Sequence, residues 1–432
     1  MIGRWRSLRW AVVAAVTMLV VALPAAGRPL TDVLDELLTT NKKIKAAEAD
    51  MAAANEQVRE ALGAWFPKLD VTGSYGHERQ LKGNDTRDTK VPPREVDLKI
   101  TQLLWDFGST NAAIENARLA YEQAKAALTA AEQAVLLEGI TAYLDLARRR
   151  RLLDFTRGSE DNIKRQTALE DARVERGRGL PSDVLQAKTQ LAGAQARRVR
   201  AEGTLQQAIN RYVAVFYKEP DDEPMTEPRF PADSMPTSLD DLVNAALDDN
   251  PALRRSRLSV TVARNNVVKA TADKFAPTLN LNGQSKYEND FDGTLGQKHK
   301  QLVKVEMKYS INLGLTAINT IKASEHTFTA TENRYGDAAD TLVEQARNAW
   351  QELLTARENA GHLHNQANIA AEFLDLARKE RDLGRRSLID VLSAETALIN
   401  ASSDAASADT DVALSVYKIL NVMGKLTLDS VK

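Results

Sequence analysis

The residues best placed to do chemistry lie in two near-copies of one stretch. DVLQAKTQL (183–191) and DVLSAETAL (390–398) agree at six of nine positions. Asp183 follows Ser182 directly, and Asp390 stands three residues after Ser387, with Arg381 and Arg386 just upstream of the second copy. These types do not make a catalytic centre. The chain has no G-x-S-x-G, no phosphate-binding glycine loop and no cysteine. His362 and His364 are two apart and would not share a helix face, so they read as surface residues and not metal ligands. No enzyme activity, metal or cofactor is expected. What the set supports is capping and pairing: Ser387 with Asp390 has the form of a capping box, and Pro181 suits a first helical turn.

Composition narrows what such groups could hold together. Lys plus Arg (57) nearly balances Asp plus Glu (59), which leaves no basic excess for nucleic acid. Aromatics are 5%, alanine is abundant, and no proline occurs between Pro93 and Pro181 or after Pro277. The N-terminus carries Arg4, Arg6 and Arg9, an apolar run from Trp10 to Leu23, then Ala25, Ala26 and Gly27. This is the layout of a signal peptide, and 1–27 is expected to be removed. Its apolar run is shorter than the ~20 residues of a membrane span. Without cysteine there is neither a disulfide nor an acylated N-terminal cysteine.

The repeat extends through the chain. LTDVLDELLTTN (30–41) resembles LDDLVNAALDDN (239–250), WFPKLDV (65–71) resembles FAPTLNL (275–281), and AYLDL (142–146) answers AWQEL (349–353). The organisation expected is a first repeat over 28–216, a Pro-rich linker over 217–237 and a second repeat over 238–432. Each repeat should run helix, two strands, very long helix, break, shorter helix. The first helix is expected from Thr31 to Gly63, ended by Pro67. The long ones are expected from Ser109 to Glu175 and from Thr316 to Leu383, each about 100 Å at ~1.5 Å per residue. Helices of that length cannot be buried in a compact domain, and their alanine faces suit coiled-coil contacts.

Period-two alternation marks four strands: Leu69, Val71, Gly73 and Tyr75; Val96, Leu98 and Ile100; Leu279 and Leu281; and Val303, Val305, Met307, Tyr309, Ile311 and Leu313. The segments 82–95 and 288–301 read as polar loops joining each pair. The strands have the length of transmembrane β-strands, roughly 9–11 residues. Trp65, Phe66, Trp105, Phe107 and Phe275 fall at their ends, as an interfacial aromatic girdle would have them. Four strands cannot close on themselves, and lipid does not tolerate an open edge, so membrane strands here imply oligomers.

The duplicated order, LLWDFGSTNAAIENARLAYEQAKAAL after the second strand, and the pair GRGLPSDVLQAKTQL and LGRRSLIDVLSAETAL together resemble the TolC-type outer-membrane channels of efflux and type I secretion. The resemblance spans essentially the whole mature chain. It implies a mainly α fold with membrane β: an internally duplicated, coiled-coil α-barrel plus four transmembrane strands per chain, completing a 12-stranded barrel as a homotrimer. It also implies outer-membrane lipid around the strands, helices in the periplasm, and as partners a periplasmic adaptor and an inner-membrane transporter, ABC or proton-driven. By this resemblance Ser182, Asp183, Arg381, Arg386 and Asp390 form a periplasmic constriction. Gly177, Gly179, Leu180, Gly384 and Ser387 form the tip that an adaptor engages. Arg381 stands where the best-known branch has a tyrosine, so an Arg381–Asp183 salt bridge could replace a hydroxyl-to-carboxylate bond there; Ser393 stands where that branch has a second acid. Type I secretion is slightly favoured over multidrug efflux on the linker and on KILNVMGKLTLDSVK. The alternative of another class is a soluble periplasmic coiled-coil scaffold or adaptor subunit.

Overall fold

The computed structural model describes residues 30–81, 88–177, 180–221, 225, 235–310, 312 and 314–431. The expected signal segment, most of the linker, Gly179, Ile311 and Leu313 lie outside the described residues.

Each repeat opens with two helices, not one. α1 (Leu30–Thr40) and α2 (Lys42–Gly63) are split at Asn41. Asn41 leaves helical geometry at φ −65°, ψ 130°, and its Oδ1 accepts from the Lys43 backbone N–H at 2.8 Å. The expected continuous helix from Thr31 to Gly63 is thus corrected: an asparagine inside an alanine-rich run caps a new helix. The strands follow: β1 (Lys68–Tyr75), the short pair β2 (Glu78–Gln80) and β3 (Thr89–Val91), and β4 (Arg94–Trp105). β3 and the start of β4 occupy ground expected to be loop over 82–95. Then come α3 (Ser109–Glu175) and α4 (Pro181–Phe216).

The second repeat restates this order: α5 (Leu239–Asp249), α6 (Pro251–Phe275), β5 (Thr278–Asn289), β6 (Gln297–Lys308), α7 (Thr316–Asp382) and α8 (Leu388–Val422). Here the end of β5 and the start of β6 run into the loop expected over 288–301. Asn250 splits α5 from α6 as Asn41 splits the first pair. It accepts from Ala252 N at 3.0 Å and Leu253 N at 3.2 Å, and its amide donates to Val422 O at 2.9 Å. α3 and α7 are 67 residues each.

One antiparallel sheet joins the repeats in the order β1-β4-β5-β6. The helices continue this order: α2 enters β1, β4 feeds α3, α6 enters β5 and β6 feeds α7, and α2 packs on α3, α3 on α6 and α6 on α7. Further from the sheet the row becomes α4, α3, α8, α7. The largest buried clusters form a belt where the short helices dock on the long ones. Leu34, Leu37, Ile140, Leu146, Tyr417 and Leu420 make one, and Leu242, Ala346, Leu353 and Ile419 another. Gly139 permits the first: a Cβ there would lie 2.6 Å from Leu37 and 2.9 Å from Leu34.

Candidate functional site

Two regions at opposite ends of the long helices carry the groups singled out above. In the sheet, the alternation sorts side chains to two faces. Leu69, Val71, Tyr75, Val96, Leu98, Ile100, Val303, Val305 and Met307 are all exposed in the single chain, Val303 by 77%. The other face is polar and tied together. Gln284 donates to Asp97 at 2.7 Å, Asn282 to Glu306 at 3.0 Å and Thr101 to Asn282 at 3.1 Å, while Lys286 lies 3.2 Å from Glu95 and 2.6 Å from Glu288. A water-soluble sheet would turn these faces the other way.

The apolar face is also staggered. Val71 stands opposite Leu98, Leu98 opposite Ser285, and Ser285 opposite Gln301. Nearer the helices Leu281 stands opposite Val305, and Leu279 opposite Met307. The apolar window therefore slides toward the helices from β1 to β6. Tilted strands crossing an apolar band of fixed height need that slide. The five aromatics collect where strands meet helices: Trp65 donates to Asn111 at 3.3 Å, Trp105 and Phe107 meet edge to face at 6.1 Å, and Phe66 and Phe275 are exposed.

At the far end, the α3–α4 and α7–α8 turns lie side by side. Gly177 (φ +69°) and Gly384 (φ +73°) take the left-handed conformation that ends both long helices. Ser387 caps α8, its Oγ accepting from Asp390 N at 3.3 Å, as the spacing predicted. Pro181 opens α4, and Asp183 sits in its first turn. Asp183 and Ser387 line one small crevice with Gln186 and Ile389, so the first and second repeats meet there. Ser182, Leu180 and Asp390 are exposed.

The ion pairs differ from expectation. Arg381 does not go to Asp183; its Nη2 lies 2.9 Å from Glu170 Oε2, and its Nη1 donates to Arg386 O at 3.2 Å. The cause is burial. Glu170 is 3% exposed on α3 and needs cationic partners, which Arg381 and, at 3.3 Å, Arg173 supply. Asp183 is half-buried at a helix N-terminus, where the backbone already favours a carboxylate. Arg386 pairs with Glu380 at 2.6 Å and lies 5.1 Å from the Phe373 ring centre. Buried Glu395 on α8 accepts from Asn162 on α3 at 2.7 Å and from Arg378 on α7. Glu170, Glu395, Arg378 and Asn162 were not singled out from the sequence. Glu170 could have been: it continues the series Ile163, Thr167, Glu170, the three-four spacing of a helix seam.

His364 hydrogen-bonds Asp409 at 2.7 Å and His362 lies 3.9 Å from Glu358, both at exposed positions. Among the described residues no group of metal-ligating side chains forms a cluster. Among the described residues no helix is long and apolar enough to cross a membrane.

Comparison with known proteins agrees with this geometry. The chain is 25% identical over 407 residues to the outer membrane efflux protein BepC of Brucella suis, covering 94% of this chain and 87% of that one. It is 25% identical over 410 residues to the outer membrane protein TolC of Vibrio cholerae, covering 92% and 91%. The fold matches the Campylobacter jejuni CmeC outer membrane channel with a TM-score of 0.80 at 17% identity, over 92% of this chain and 86% of that one. The family model for outer membrane efflux proteins matches residues 33–214 and 242–425, one stretch in each repeat. The chain therefore belongs to the outer membrane efflux protein family, as a non-enzymatic channel protein of the outer membrane with its helical part in the periplasm.

Proposed function

We propose that three copies of this chain close into one exit duct, a 12-stranded barrel continued by a helical barrel. It would take substrate from an inner-membrane transporter and its periplasmic adaptor and conduct it outward passively. The observation that carries this is the sheet: apolar, staggered and exposed on one face, polar and hydrogen-bonded on the other. Its outer strands, β1 and β6, each have one partner among the described residues and run antiparallel to each other. β6 of one copy can thus pair with β1 of the next in the pattern of the rest of the sheet, which removes edges that lipid would penalise by several kcal/mol per unpaired group.

The tip is the gate in this reading. Glu170–Arg381 ties α3 to α7, and Glu395 ties α8 to both α3 and α7, so the repeats are braced against each other. Asp390, exposed beside the turn, would form a ring of carboxylates around a threefold axis and favour cations. Gly177, Leu180, Gly384 and Ser387 are the surface offered to an adaptor. For cargo we favour type I protein secretion, on the linker and the closing segment. Extraction of the outer-membrane fraction, followed by sizing and planar-bilayer recording on one sample, tests the duct. A conducting trimer is expected, and a non-conducting species would refute it. Deletion that sensitises cells to drugs while leaving the set of secreted proteins unchanged would reverse the cargo assignment.

A further inference from the structure

The apolar face of the sheet ends, at the rim away from the helices, in a column of cations. On that face Val96 stands opposite Gly73, and one step further out Arg94 stands opposite Tyr75. The Arg94 guanidinium lies 5.7 Å from the Tyr75 ring centre, and both side chains are exposed. Beyond them β2 and β3 carry the β1–β4 hairpin onward. Pro92 and Pro93 interrupt the ladder because proline has no N–H to donate. The register does not slip across them: Gly76 N donates to Pro93 O at 3.1 Å, Glu78 pairs with Val91, and Arg79 pairs with Lys90. With the pairing unshifted, alternation puts Arg79 and Lys90 on the side of Tyr75 and Arg94, facing outward.

This column lacks counter-charge. Arg79 and Lys90 are like charges directly opposite each other, an arrangement that destabilises a strand pair unless an anion joins it. Among the described residues no carboxylate pairs with Arg79, Lys90 or Arg94, and Asp88, close by in sequence, has a partner of its own. Glu78 and Glu95 turn to the other side. Glu78 accepts from the Asp292 N–H at 3.2 Å, Gln80 donates to the Asp292 carboxylate at 3.0 Å, and Glu95 lies 3.2 Å from Lys286. The small hairpin is thus pinned to the β5–β6 turn by its inward face, and its outward face is left with cations alone.

We infer that Arg79, Lys90 and Arg94 bind the phosphates of a phosphorylated glycolipid in the outer leaflet of the membrane. This rests on the sheet being the barrel proposed above. Arg94, at the edge of the apolar band, is level with the first headgroup phosphates, and the Tyr75 ring steadies a guanidinium that can take a phosphate through two hydrogen bonds. Arg79 stands four residues beyond Tyr75, about 13 Å along the strand at ~3.3 Å per residue. At a strand tilt near 40° that is about 10 Å in height. The headgroup layer of an ordinary leaflet is only about 5–8 Å deep. A phospholipid therefore reaches Arg94 but not Arg79 and Lys90, whereas a lipid phosphorylated on its sugars presents phosphate at both levels. Lipid held in this way fixes the depth of the barrel in the outer leaflet.

The test uses the oligomer extracted from outer membranes, exchanged into detergent to strip its lipid, and measures binding of purified lipopolysaccharide, phosphatidylglycerol and inorganic phosphate. Arg79→Gln, Lys90→Gln and Arg94→Gln are combined in one variant. Lys298→Gln, Lys300→Gln and Lys304→Gln, on the inward face of β6, make a control with the same change of charge. The wild type and the control are expected to bind lipopolysaccharide about 100-fold more tightly than the outward variant, at roughly five-fold per cation. Both should also prefer it to phosphatidylglycerol. Equal affinity of the two triple variants, at wild-type oligomer size, overturns the site and leaves the duct standing. Phosphatidylglycerol bound as tightly as lipopolysaccharide, or inorganic phosphate displacing it at equal concentration, overturns the glycolipid assignment. A wild type that extracts as a monomer overturns the duct and the site together. If the outward triple variant fails to assemble, Arg79→Gln alone is read by the same criteria, with a loss of about five-fold expected.

Discussion

The sheet and the tip solve opposite problems with the same chain. In the sheet, apolar side chains face outward and charges face one another; at the tip, Leu388 and Leu392 are buried with Ile163 and Ala187, and charges such as Glu170 and Glu395 are buried among them. An exposed Val303 beside a paired Lys286–Glu288 makes sense where the surrounding medium is lipid and the enclosed one is water. A buried Glu170 with two arginines makes sense where a contact must be specific and separable. The polar contacts at the two ends therefore differ in what losing them would do. In the proposed duct, loss in the sheet changes the lining, and loss at the tip changes which conformation is held.

The contrast can be broken most sharply at Arg381. Arg381→Ala leaves the buried Glu170 with only Arg173, 3.3 Å away. Removing one partner of a buried pair costs about 3 kcal/mol, and chemical denaturation should show that loss together with a raised single-channel conductance. Stability falling without any change in conductance would make the pair structural only. Next comes the sheet: Val305→Arg, on the outward face, should cost about 2–4 kcal/mol near mid-membrane and lower the yield of assembled protein. Lys304→Gln, on the opposite face, should leave assembly intact; equal effects would mean that the faces are not lipid and water.

Asn250→Ala should cost about 1 kcal/mol by removing the cap of α6, read as a lower thermal midpoint with unchanged conductance. Arg386→Ala, whose partner Glu380 is partly exposed, should cost under about 1 kcal/mol and open the channel less than Arg381→Ala does. Asp183→Ala should open it least of these, because Arg381 is held by Glu170. The smallest effect concerns pH. The hydrogen bond from Lys43, then its charge and that of Arg211, hold the Glu138 carboxyl below its ordinary value against partial burial. A depressed carboxyl adds stability that is present above the unfolded value and fades as pH falls through the folded one. The thermal midpoint of Glu138→Gln should thus be flatter with pH than the wild type below about pH 4.

Much of this was legible in the residues. Uninterrupted 3.6-residue spacing without proline gave α3 its ends at Ser109 and Glu175, and placed α7 within one residue. Ser387 and Asp390 announced their cap, and alternation located the four strands, although β6 spans Gln297–Lys308 where the pattern was read from Val303 to beyond Tyr309. What stayed hidden depends on partners distant in sequence. Asn41 and Asn250 break helices in an alanine-rich context because an asparagine side chain can replace a backbone bond, and Asn250 gains Val422, 172 residues away. The choice of Glu170 over Asp183 by Arg381 depends on burial, and its partner is 211 residues distant. The β2–β3 hairpin has strands of three residues, too short for alternation to register.

The most direct test of the gate is single-channel recording of the wild type beside Arg381→Ala, both extracted from outer membranes and sized before use. The account predicts trimers in both cases, a low-conductance wild type and a variant of clearly higher conductance. Equal conductance from equally assembled trimers would contradict it.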